Sequence, residues 1–123
     1  MTKNPIPTDI TLDPKKRLLT IAFDDGNKFE MSSEYLRVNS PSAEVQGHGP
    51  GEGVLQFGKE NVTIDAIEPV GSYAILLRFS DGHDTGIFAW DTLHTLGSKQ
   101  DEIWQSYLEQ LEAAGRKRHP PIM

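Results

Sequence analysis

The densest polar run in the chain is SDGHDTG, residues 80–86, which holds Asp81, His83 and Asp84 within four positions. Imidazole and carboxylate together suit zinc or iron, and His48 or Glu44 would have to complete such a set. The same residues also make an ordinary hairpin turn, in which short polar side chains bond their own backbone. On chemistry alone the turn is the stronger reading. The other candidates fail on residue type, spacing or context. GVLQFGKE, residues 53–60, approaches a phosphate-binding loop, but Glu60 stands where the magnesium-holding hydroxyl belongs and the strand-like NVTIDAI follows where a helix is needed. FDDGNKFEMSSE, residues 23–34, lacks the acidic offsets of a calcium loop. No serine lies in a nucleophile elbow, and the histidines at 48, 83, 94 and 119 are scattered. His94 is expected to be an exposed helical residue, and no catalytic set is expected.

Composition removes further classes. The chain has 123 residues and no cysteine, so disulfides, thiolate zinc sites and cysteine nucleophiles are excluded and a cytoplasmic home is the default. One domain of this size buries about two-thirds of its unfolded surface and needs no covalent staple. Lys and Arg number 12 against 18 Asp and Glu, for a net charge of −6. Such a body repels phosphate backbones, so nucleic acid is not an expected partner. No apolar run approaches the roughly 20 residues that span a bilayer, and MTKNPIPTDI carries no secretory pattern. Neither a membrane nor a nucleic-acid role is expected, and a homo-oligomer is left open.

Two stretches echo each other. Each has a β-prone run (Leu18–Phe23 and Ala74–Phe79), an Asp-Gly pair (Asp25-Gly26 and Asp81-Gly82), a short strand (28–31 and Gly86–Ala89) and a helical turn (Ser33–Val38 and 91–96). Asp-Gly between alternating hydrophobics is a hairpin signal, because glycine accepts the positive φ of a tight turn. Duplication and shared hairpin chemistry both explain the echo. Apolar segments around residues 9–12 and 62–70 precede the two units. Pro69 argues against an inner strand there.

A terminal helix is predicted over residues 99–114, capped by Ser98 and stopped by Gly115. Ile103, Trp104, Tyr107, Leu108 and Leu111 form its apolar face, which should pack on the protein's own sheet. The predicted fold is α+β: a β-rich antiparallel body of two strand–hairpin–short-helix units plus the C-terminal amphipathic helix. The expected core includes Leu18, Ile21, Phe23, Leu36, Ile64, Leu77, Ile87, Phe88 and Leu93. Residues 9–115 form the single domain, and residues 1–8 and the basic tail 116–123 are expected to be flexible.

LRVNSPSAEVQGH (36–48) followed by VGSYAILLRFSDGHDTGIFAWDTL (70–93), with FDDG and YLR upstream, resembles the gamma-butyrobetaine hydroxylase-like N-terminal domain family over roughly residues 10–96. The resemblance implies a stand-alone bacterial domain of unknown function in a cysteine-less form. In the hydroxylases the module precedes an oxygenase domain, whose activity is not expected here. Similar modules are attached to P-loop ATPases of iron–sulfur cluster assembly, which suggests such an ATPase as partner. The resemblance also implies, in the hydroxylase branch, a zinc site of three cysteines and one histidine. The matching positions here are Ser40, Ser42, Val45 and His83. Serine hydroxyls are poor zinc ligands and valine offers none, so no metal or cofactor is expected.

The leading functional expectation is a non-catalytic interaction module. Its docking face would comprise Gly47, His48, Gly49, Asp81, Gly82, His83, Asp84 and Trp90. The alternative is binding of zinc or iron through His83, His48 and nearby carboxylates.

Overall fold

The computed structural model describes residues 4–46 and 53–119, apart from the side chain of Glu44. Two three-stranded antiparallel sheets carry the body. The first is β1 (Pro7–Leu12), β2 (Leu18–Phe23) and β3 (Lys28–Ser32), in that order, followed by the helices α1 (Ser33–Val38) and α2 (Ala43–Gln46). The second is β4 (Ile64–Val70), β5 (Ala74–Phe79) and β6 (Gly86–Ala89), followed by α3 (Trp90–Ser98) and α4 (Gln100–Ala114). The α+β expectation holds, with the β-rich body divided into two sheets.

The two units match in detail. In each, a glycine at φ near +90° turns the hairpin, Gly26 at 88° and Gly82 at 89°. The preceding aspartate accepts from a backbone amide two residues on: Asn27 N–H donates to Asp25 Oδ1 at 2.9 Å, and His83 N–H to Asp81 Oδ1 at 3.2 Å. Each helix starts where the third strand ends. Its first amide donates to the residue before the unit's central strand, Ser33 to Arg17 O and Trp90 to Tyr73 O. The correspondence therefore reaches from the turns into the helices, further than hairpin chemistry alone requires.

Alternation places Leu19, Ile21 and Phe23 of β2 and Ile75, Leu77 and Phe79 of β5 in one core, joined by Tyr35, Leu36, Phe88 and Leu93. Two expectations are corrected here. Leu19 rather than Leu18 is the buried neighbour of Ile21, because β2 keeps strict period-two alternation through Phe23. Ile87 is 48% exposed, since it faces outward between the buried Gly86 and Phe88. Pro69 is tolerated because β4 is an edge strand.

The apolar face of α4 closes over this body. Ile103 and Trp104 touch the main core, while Tyr107 and Leu111 form a second cluster with Val38. The predicted Ser98 cap is not made. Ser98 ends α3, its hydroxyl donating to His94 O at 2.6 Å, and α4 begins after Lys99 without a side-chain cap. Gly115 does stop the helix, at φ 66°. The tail is not loose at its start. Lys117 O and Arg118 O accept from the Gly58 and Glu60 amides, and the Arg118 guanidinium grips the buried Glu34 carboxylate through two bonds of 2.9 and 2.7 Å. Nor is residue 7 part of a free N-terminus, since β1 starts there.

Candidate functional site

The 79–83 turn brings His83 inward. Phe79 N–H donates to His83 O at 2.9 Å and Gly82 N–H to Phe79 O at 3.1 Å, leaving the imidazole beside the Phe79 ring with only 5% of the residue exposed. Facing it is the bend after α1. Ser40 is fully buried and Ser42 nearly so. The His83 Nε2 atom lies 2.9 Å from Ser40 Oγ and 3.3 Å from Ser42 Oγ. Hydroxyls both donate and accept, so they satisfy this nitrogen in either tautomer. Gly86 makes the close approach possible, because a Cβ there would stand 2.5 Å from Ser40 Oγ.

Three of the four positions singled out by resemblance are thus brought together. Val45, the fourth, is buried one turn on in α2. The donors do not fit a tetrahedral metal site: the set offers one imidazole, two hydroxyls and a hydrocarbon. The carboxylates nearby are committed elsewhere. Asp81 Oδ2 meets Arg37 Nε at 2.9 Å and Lys59 Nζ at 2.7 Å. Asp84 pairs with Arg78 at 3.2 Å on the surface, where Glu68 also binds Arg78. Among the described residues no three His, Cys, Asp or Glu side chains converge. Gly47, His48 and Gly49 lie outside the described residues.

Burial by itself would raise the Asp81 pKa. The Lys59 ammonium, the His83 backbone amide and the Arg37 guanidinium outweigh it and hold the carboxyl below its usual range. A base so tightly paired is a poor proton acceptor at neutral pH. A serine 2.9 Å from an imidazole has the spacing of a nucleophile and its base, but Ser40 is completely enclosed and no substrate carbonyl reaches its Oγ. The cluster is a polar pin between the two units.

The proposed docking face is only partly assembled. Asp81, Gly82 and Asp84 share the β5–β6 turn, with Asp84 exposed. Trp90 stands at the other end of β6, its Nε1 donating to Ser72 O in the β4–β5 turn. His94, expected to be free in solvent, is half-buried. It stands edge-on to Phe23 and Phe29 and binds Asp25 Oδ2 at 2.8 Å. Sequence reasoning missed Arg37, whose side chain is 8% exposed and whose Nη1 is buried without a partner among the described residues. Its one signal was position: it stands in the first unit's helix where His94 stands in the second.

The gamma-butyrobetaine hydroxylase-like, N-terminal family model matches residues 10–94. One solution structure is 44% identical, covering 97% of this chain and 94% of that one, with a TM-score of 0.82. Another is 50% identical, covering 99% and 93%, with a TM-score of 0.81. A crystal structure from Acidithiobacillus ferrooxidans, of a protein with unknown function in the DUF971 family, is 36% identical over 74% of this chain and 91% of that one, with a TM-score of 0.59. No curated protein matches. The match covers an N-terminal module and indicates no catalytic domain. Among the described residues no helix is long and apolar enough to cross a membrane.

Proposed function

The chain belongs to the gamma-butyrobetaine hydroxylase-like N-terminal family, and on that premise we propose that it is a small non-catalytic protein-interaction or accessory module of the cytoplasm. The supporting observation is the engagement of its reactive groups. His83 is enclosed with Ser40 and Ser42, and Asp81 is neutralised by Arg37 and Lys59. What remains for a partner is shape and surface charge, and Asp84 with Gly82 on the β5–β6 turn presents both. The partner suggested by family analogy is a P-loop ATPase of iron–sulfur cluster assembly.

Asp84 is the informative position because it is exposed and its loss leaves the core untouched. Asp84→Lys and, in the β4–β5 turn at the opposite end of the sheet, Tyr73→Ala are compared with the parent protein in affinity capture from the native cell. Captured proteins are then quantified by mass spectrometry. The reading expects a P-loop ATPase with the parent, several-fold less with Asp84→Lys, and no change with Tyr73→Ala. Equal recovery of that ATPase by all three moves the interface off this turn. Its absence from the parent's partners ends the assembly reading.

A further inference from the structure

Between α4 and the segment 53–56 lies an open cleft of about 520 Å³, within the size range of small-molecule sites. Its polar lining is biased. Four carboxamides border it, and each points its amino end at the protein. Asn39 Nδ2 donates to Tyr35 O at 2.9 Å and Gln46 Nε2 to Ser40 O at 3.0 Å; Gln56 Nε2 donates to Val54 O at 3.0 Å and Gln110 Nε2 to Ser106 Oγ at 3.3 Å. Each carboxamide keeps its carbonyl oxygen as an acceptor beside the amino group so engaged. Glu102 adds a carboxylate, and among the described residues no Lys, Arg or His lines the cleft. Val38 and Ile103 supply apolar surface beside these acceptors.

We propose that this cleft binds an organic cation through its N–H groups: an ammonium or guanidinium head on a short aliphatic stem. Acceptors and a carboxylate select N–H donors, the aliphatic surface takes the stem, and the protein's net charge of −6 draws cations in. Anions are repelled by Glu102. A quaternary ammonium has the charge but no proton to donate, so it binds worse. The same head occurs on a free amine and on a lysine or arginine side chain. The site shares no residue with the Asp84 turn, and the inference does not rest on the reading above.

The test is an NMR titration of the ¹⁵N-labelled full chain at low salt. The probes are n-butylammonium, n-butylguanidinium, choline, butyrate and the capped tripeptide Gly-Lys-Gly. The two N–H cations should give saturable shifts at the side-chain amides of Asn39, Gln46, Gln56 and Gln110, choline weaker ones, and butyrate none. Glu102→Gln, an exposed substitution, should weaken n-butylammonium about threefold. A tripeptide binding at least as tightly as n-butylammonium assigns the site to a protein side chain, and a weaker one assigns it to a free amine. No saturable shift with either N–H cation, or choline matching n-butylammonium, overturns the proposal.

Discussion

Arg37 on α1 and His94 on α3 stand at matching positions of the two units and cross over in opposite directions. Arg37 Nε reaches Asp81 Oδ2 in the second unit's turn at 2.9 Å, and His94 Nε2 reaches Asp25 Oδ2 in the first unit's turn at 2.8 Å. The exchange repeats next to the helices. Ser40 packs on Gly86 of the second unit, and Gly97 packs on Phe29 of the first. Each unit holds the other by its turn and its third strand, a reciprocity that duplication explains and similar turn residues alone do not.

The two crossings should differ in strength. Arg37 is largely withdrawn from water and Asp81 only partly, whereas both members of the Asp25–His94 pair are partly exposed. Asp81→Asn leaves the Arg37 guanidinium uncompensated and should cost about 2 kcal/mol, below the interior range because the carboxylate is partly solvated. Asp25→Asn should be nearly silent. Because the folded-state pKa of Asp81 is depressed, its contribution is present above the unfolded value of about 3.9 and is lost as pH falls through the lower folded value. Thermal melts from neutral pH into acid should show a shallower acid limb for Asp81→Asn than for the parent. Identical limbs would remove Asp81 as a source of acid lability.

Stability should not depend on a metal. The Ser40–Ser42–His83 pin is made of side-chain hydrogen bonds, each contributing about 1 kcal/mol. A strong chelator should therefore leave the melting temperature of freshly isolated protein unchanged. Ser40→Cys, Ser42→Cys and Val45→Cys together supply thiolates beside His83, and melting of that variant should become zinc-raised and chelator-lowered. A parent protein that melts early in chelator would show that an ion is part of the native fold.

Two phenols should set the alkaline limit. Burial, with the Asp101 charge adding to it, pushes Tyr35 up to about 12. Burial with Glu34 does the same to Tyr107, slightly opposed by Arg118. Their hydroxyls donate to Leu96 O at 2.6 Å and Gln56 O at 2.7 Å, bonds that phenolate cannot make. A group whose folded pKa is raised contributes stability that is full below the unfolded value of about 10 and is lost as pH climbs through the folded one. Unfolding between about pH 10 and 12 should be less steep in Tyr35→Phe and Tyr107→Phe, although both are less stable at neutral pH. An unchanged pH slope in both variants would place the alkaline limit elsewhere.

The elements were legible in the sequence where local chemistry decides them. The Asp-Gly turns, the flanking strands and the Gly115 stop follow from backbone preferences and alternation. So did His83 near Ser40 and Ser42, though only through resemblance, since nothing local joins residues more than forty positions apart. What stayed hidden were pairings set by packing between units. His94 read as a solvent residue because its partner Asp25 is distant in sequence. The basic tail read as loose because its anchor, the buried Glu34, lies in a short helix whose burial no periodicity reveals. Ser98 read as a cap because its alternative bond, to the carbonyl four residues back, belongs to a helix that runs further than its pattern suggests.

Gly97 tests the reciprocal packing most directly. It lies inside α3, where alanine would ordinarily gain up to about 1 kcal/mol from helix propensity. A Cβ there meets the Phe29 ring at an impossible separation, and that ring is fixed edge-on between Phe23 and His94. Overpacking of this kind costs about 1–3 kcal/mol, so Gly97→Ala should destabilise in urea despite its better helix propensity. Shortening the ring as well, in Phe29→Val with Gly97→Ala, should recover part of the loss, giving a non-additive cycle as expected for residues in contact. At the matching contact Gly86→Ala should also destabilise, by driving Ser40 off His83, and no change at Phe29 should rescue it. A stabilised Gly97→Ala, or strict additivity with Phe29→Val, would mean that the third strand of one unit does not seat on the helix of the other as described.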